Sequence, residues 1–151
     1  MASWKDVEEQ APELAGRARL ILDAHKHKTL ATLRADGSPR ISGIECEFAG
    51  GELTFGSMAG ARKLADLRRD PRFALHSGSD DPPETPNAST WAGDAKVSGR
   101  AVPTGSPGDD GSEGFRVDVT EVVVTGLNEA GDRLVVEFWR EGAGLRRVER
   151  T

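Results

Sequence analysis

The stretch from Leu53 to Pro71 carries the residues best suited to chemistry. A strand-like segment, Leu53-Thr54-Phe55-Gly56-Ser57, gives way to a turn at Gly60 and then to a helix-like segment opening on Arg62 and Lys63. Small residues let the backbone approach a ligand closely. A helix start offers free N–H groups and the positive end of the helix dipole. Adjacent Arg and Lys add charge-assisted hydrogen bonds. Together these features suit a phosphate group. The same two cations also suit the solvated outer face of a helix, and the stretch alone leaves both readings open. No complete phosphate-loop signature is present.

Other chemistry-bearing residues fit plainer roles. His25 and His27 have no third metal ligand nearby in sequence, so packing or helix-end charge beside Lys26 and Lys28 is the expectation, with no metal site. His76 falls on a strand-like segment and is read as structural, a cofactor contact being the alternative. Cys46 lacks a base partner in sequence and reads as a small apolar residue. Glu45 and Glu47 flank it on one strand face, where acid/base work competes with a solvated edge. Trp91 stands in a polar loop, either stacking on a ring system or anchoring the loop, and Trp139 reads as core or subunit interface. No nucleophile–histidine–acid arrangement suggests a hydrolase.

Composition narrows the class. The 151 residues suit one domain spanning 1–151, with 36% apolar and 30% charged residues, as in a well-solvated globular protein. A net charge of −5 argues against nucleic acid as a partner. The lone cysteine excludes a disulfide within the chain and a multi-cysteine metal site, and points to the reducing cytoplasm. Neither a secretory signal nor a run of ~18 apolar residues is seen, so no membrane is expected.

The elements that must position these residues follow from periodicity. Residues 1–26 form an N-terminal helical segment. Ser3 with Asp6 caps its start, and Pro12 opens a second helix in which Leu14, Ala18, Ile21 and Leu22 share a face. Thr29–Arg34, Pro39–Phe48 and Glu52–Ser57 read as a three-stranded meander turned at Asp36-Gly37 and Gly50-Gly51. A short helix over Gly60–Arg69 follows, with Ala61, Leu64, Ala65 and Leu67 on its apolar side. Strands over Arg72–Ser77, Asp94–Pro103, Phe115–Leu127 and Arg133–Arg140 complete about seven antiparallel strands. Polar loops over 78–93 and 104–114 are expected to be flexible insertions. The fold class is mainly β with minor α, a nearly closed antiparallel barrel.

The order of these pieces resembles the pyridoxamine 5'-phosphate oxidase-like superfamily, including its flavin/deazaflavin oxidoreductases. The resemblance runs through His27-Lys28-Thr29-Leu30-Ala31-Thr32-Leu33, Asp36-Gly37-Ser38-Pro39-Arg40-Ile41-Ser42, Leu67-Arg68-Arg69-Asp70-Pro71-Arg72-Phe73-Ala74-Leu75, Gly93 to Ala101 and Leu134 to Arg140. It implies an FMN-binding split β-barrel that forms a homodimer, with the cofactor in a groove at the dimer interface. Carried over by position, Arg40, Ser57, Arg62 and Lys63 would hold the cofactor phosphate. Ile41, Ser42 and Gly43 would pass beside the ring. FMN is the first cofactor implied, coenzyme F420 the alternative and haem a third. The activity implied is oxidation or reduction of a small organic substrate, with no catalytic side chain assigned. The alternative is a non-catalytic carrier.

Two departures qualify the resemblance. Ala65 stands where several members have a second cation. The segment Glu141 to Arg147 lacks the substrate-binding pattern of true pyridoxamine-phosphate oxidases, so that specific activity is not expected.

Overall fold

The computed structural model describes residues 1–84, 87–105 and 108–151. The remaining four positions fall within the two expected polar loops, and those parts of the loops lie outside the described residues. The chain opens with α1 (Trp4–Gln10) and α2 (Pro12–Asp23). It continues through β1 (Lys28–Leu33), β2 (Pro39–Ile44), β3 (Cys46–Ala49), β4 (Glu52–Ser57), α3 (Arg62–Arg69) and β5 (Arg72–His76). After a 3-10 turn at Asn87–Thr90 come β6 (Asp94–Pro103), β7 (Glu113–Leu127), β8 (Leu134–Arg140) and β9 (Gly144–Arg150).

All strands join one antiparallel nine-stranded sheet in the order β2-β1-β5-β6-β7-β4-β3, with β8 and β9 added beyond β7. The long β7 pairs along one edge with β6. Its other edge is shared, β4 taking the first part and β8 the second. Among the described residues no ladder joins β2 to β4, although the two pack together. The barrel is therefore split along this seam, and Glu45, between β2 and β3, carries the chain across it.

Alternation explains the interior. On β4 and β5 the inward Leu53, Phe55, Phe73 and Leu75 are buried, and β7 contributes Phe115, Val117 and Val119. The Phe55 ring lies 5.5 Å from both Phe73 and Phe115. Helices α1 and α2 cover the far side of this core with Trp4, Val7, Leu14, Ala18 and Leu22, all nearly inaccessible. Trp4 packs 4.8 Å from Phe48, and Trp139 is core, its Nε1 donating to Gln10 Oε1 at 3.1 Å. The expected cap is present: Ser3 Oγ accepts from the Asp6 N–H while Asp6 Oδ2 accepts from the Ser3 N–H. Pro12 occupies the first turn of α2. At the β6 bulge only glycine fits, since a Cβ on Gly99 would stand 2.1 Å from the Asp118 carbonyl oxygen.

Three expectations are corrected. Among the described residues there are nine strands, where about seven were expected. The expected strand over Pro39–Phe48 breaks at Glu45 into β2 and β3, because its two halves pair with different partners, β1 and β4. The basic segment after Arg140, where the last expected strand ends, folds back through a turn at Gly142 (φ +78°) as β9. As an edge strand exposed on both faces, β9 lacks the apolar alternation that marks a half-buried strand. The helix α3 consequently follows the fourth strand and not the third.

Candidate functional site

The seam positions the residues singled out for phosphate binding. Strand β4 ends at Ser57, the turn at Gly60 takes φ +75°, and α3 begins at Arg62. Helix α3 packs against β1 and presents one flank to β2. Lys63 and Asp66, three residues apart, lie on that flank. Lys63 Nζ donates to the Gly43 carbonyl at 2.7 Å, across the seam. Asp66 Oδ2 accepts from Arg40 Nε at 2.7 Å and from Thr32 Oγ1 at 2.7 Å. Arg69 stands 3.6 Å from its other oxygen. The helix thus holds β2 at two points.

Asp66 is 1% exposed, and this buried carboxylate was missed in the sequence. The apolar side of α3 is correspondingly corrected: Ala65 is exposed, and Asp66 shares the buried side with Leu64 and Leu67. The available signal was an acid set between Leu64 and Leu67, where burial would demand a cation. Burial pushes the Asp66 carboxyl up, but hydrogen bonds from Arg40 and Thr32 and the charges of Arg40 and Arg69 outweigh it and hold it below the ordinary carboxylate value.

A groove of about 480 Å³ opens along the seam, lined by His27, Gly43, Ile44, Glu45, Gly56, Met58, Ala61 and Lys63. A second, of about 510 Å³, adjoins it through the shared Glu45 and Gly56 and runs past Cys46, Glu47, Thr54 and Phe55. Lys63 and the start of α3 line the first part, Glu45 stands where the two parts join, and Glu47 lines the second. Its floor is bare where Gly43 and Gly56 face outward. A Cβ on Gly43 would meet nothing within 4 Å.

Seven residues were expected at the cofactor. Gly43 and Lys63 meet directly. Ser57 is buried at the end of β4, and its Oγ has no hydrogen-bond partner; the Ser42 Oγ on β2 is likewise buried and unpartnered. Arg62 is exposed at the start of α3. Ile41 points outward and is 75% exposed. Arg40 is turned toward Asp66, its side chain 18% exposed, so part of its charge is already paired.

The other flagged residues have plainer surroundings. His25 Nε2 lies 3.5 Å from Asp80 and His27 Nδ1 3.8 Å from Glu45. Trp91 Nε1 donates to the Asp80 carbonyl at 2.7 Å, anchoring its loop. Cys46 is half-buried, and burial pushes its thiol up against the partial offset of the Lys28 charge. Among the described residues no three His, Cys, Asp or Glu side chains gather to hold a metal ion, and no helix is long and apolar enough to cross a membrane.

This split, antiparallel sheet with a helix start at the seam matches a known family over residues 14–126, that of pyridoxamine 5'-phosphate oxidase. The chain belongs to the pyridoxamine 5'-phosphate oxidase family. No curated protein matches it significantly.

Solved structures share its fold. PhzG from Burkholderia lata 383, in complex with tetrahydrophenazine-1-carboxylic acid, superposes with a TM-score of 0.67 at 13% identity, over 97% of this chain and 94% of that one. A pyridoxamine 5'-phosphate oxidase-related, FMN-binding protein from Nostoc punctiforme PCC 73102 gives 0.60 at 12% identity, over 100% and 98%. A heme binding protein from Mycobacterium smegmatis gives 0.54 at 14% identity, over 91% and 87%. At these identities the likeness speaks for the fold alone.

Proposed function

We propose that the chain is a flavin-dependent oxidoreductase that binds FMN, or in its place the deazaflavin coenzyme F420, in the seam groove and acts on a small organic substrate. The observation that carries this reading is a lysine and a helix start standing beside a bare floor. Lys63 and the start of α3 supply cationic character at one end of the groove, and Gly43 leaves open space beside them. The buried Ser57 Oγ at the end of β4 has no hydrogen-bond partner and stands next to the turn that leads into α3.

In this reading Lys63, Arg62 and Ser57 bind the phosphate, with Lys63 exchanging its bond to the Gly43 carbonyl for one to a phosphate oxygen. Arg40 contributes what its pairing with Asp66 leaves. Ile41, Ser42 and Gly43 run beside the ring, and Gly43 admits it by having no side chain. When bound, the cofactor supplies the redox chemistry. The chain supplies orientation, a phosphate grip and partial exclusion of water.

A homodimer completes the reading. Ile41, Ala31 and Ala74 stand in register across β2, β1 and β5 on the outer face beside the groove, and a second copy would cover this apolar row. Light scattering at micromolar concentration is expected to give twice the 16.1 kDa chain mass; a monomeric mass contradicts the dimer. The single cysteine suits a cytoplasmic enzyme.

A second reading, a non-catalytic carrier of flavin, F420 or haem, is favoured by the shortage of free cations: Arg40 is paired and Ala65 is exposed where a further cation would serve. Anaerobic reduction of the FMN-loaded protein followed by a panel of oxidised substrates separates the two. Substrate-dependent reoxidation supports the enzyme, and its absence across the panel supports the carrier.

A further inference from the structure

Four residues on the outer face of the sheet lie in register across four strands: Gly43 on β2, Thr29 on β1, His76 on β5 and Lys96 on β6. Adjacent strands stand about 4.8 Å apart, so His76 is two strand spacings, roughly 10 Å, from the bare floor at Gly43. Only the Thr29 side chain lies between them in this row. His76 Nδ1 stands 2.7 Å from the Ser77 carbonyl oxygen. A carbonyl oxygen only accepts, so Nδ1 carries the proton. In the neutral ring Nε2 is then a bare acceptor, and among the described residues it has no partner. Lys96, beside it on β6, forms no ion pair among the described residues.

We propose that His76 is a cofactor-binding residue whose Nε2 accepts a hydrogen bond from an N–H at the far end of the ring system seated over Gly43. The inference rests on the flavin-binding reading and extends it. Lys63 anchors the phosphate end, Gly43 lies under the middle, and His76 receives the polar edge of the ring. The Ser77 carbonyl is the positioning group, since it fixes which imidazole nitrogen is bare. A ring with an N–H donor at that edge is selected over one carrying a second acceptor there, which would meet the Nε2 lone pair.

The test needs no turnover. Imidazole nitrogen resonances of the 15N-labelled full chain are followed during titration with FMN, His76 being assigned by its loss in the His76→Ala variant. FMN affinity is measured in parallel for the wild type, His76→Ala, His76→Gln and Lys63→Ala. The proposal expects the His76 Nε2 resonance to move toward its hydrogen-bonded position and His76→Ala to bind FMN about five- to tenfold more weakly. His76→Gln, whose amide oxygen also accepts, should retain most of the affinity. If Lys63→Ala weakens binding while His76 Nε2 does not move and His76→Ala binds like the wild type, the His76 contact is wrong and the groove reading stands. If the wild type binds neither FMN nor coenzyme F420, or Lys63→Ala binds the cofactor as well as the wild type, the groove reading fails and this inference with it.

Discussion

Asp66 and Arg40 meet at 2.7 Å across the boundary between α3 and β2, with Asp66 almost wholly inaccessible. This pair fixes the helix whose first turn presents Lys63 to the groove. It also occupies a guanidinium otherwise available to a ligand, so structure and binding compete for one cation.

Breaking the pair from the acid side leaves Arg40 without its buried partner. Asp66→Ala is expected to cost about 3 kcal/mol, on the order of a 10 °C fall in Tm for a chain of this size. Thermal unfolding followed by circular dichroism checks it. Asp66→Asn, which keeps the acceptor for Thr32, should cost less. Equal losses in the two variants would show that the loss comes wholly from the charge and that the acceptor retained for Thr32 contributes nothing.

Acid should weaken the fold through the same kind of group. Hydrogen bonds from Arg72 lower the Asp70 carboxyl from 3.8 to about 2. Because the folded value lies below the unfolded one, its contribution is complete above pH 3.8 and fades as the pH falls toward about 2. Asp66 acts in the same direction. Between pH 4 and pH 2 the Tm of Asp70→Asn should fall less steeply than that of the wild type. Parallel curves would contradict the assignment.

Much of the fold was legible in the residues. The Ser3–Asp6 cap, Pro12 at the head of α2 and the alternation of β4 through β7 all follow from local geometry, which sequence records. The corrections lie where tertiary pairing decides. Nothing in Ile44-Glu45-Cys46 announces that the two sides of Glu45 pair with different strands, and β9 has no buried face to write a pattern. At the site, Gly56, Ser57, Arg62 and Lys63 stood out because a strand–turn–helix junction is a local feature. Asp66 did not, because its meaning depends on Arg40, 26 residues away.

The open space over Gly43 gives a separable test. A Cβ there meets no protein atom within 4 Å and the backbone is not in the left-handed region, so Gly43→Val should fold normally. Valine suits a strand, and Tm should hold within about 2 °C, the usual range for a surface change. Binding of a flat ligand over that floor should fall at least about tenfold through steric exclusion alone. Undiminished binding would move the ring elsewhere.

Flavin binding in the groove depends on the phosphate grip of Lys63, and fluorescence titration of the wild type and Lys63→Ala with FMN tests it most directly. The expected result is saturable binding by the wild type and a loss of about tenfold or more in the variant, as for removal of a charge-assisted hydrogen bond, with Tm nearly unchanged. Equal affinity in the two proteins, or no binding by either, would contradict the assignment of the groove as a flavin site.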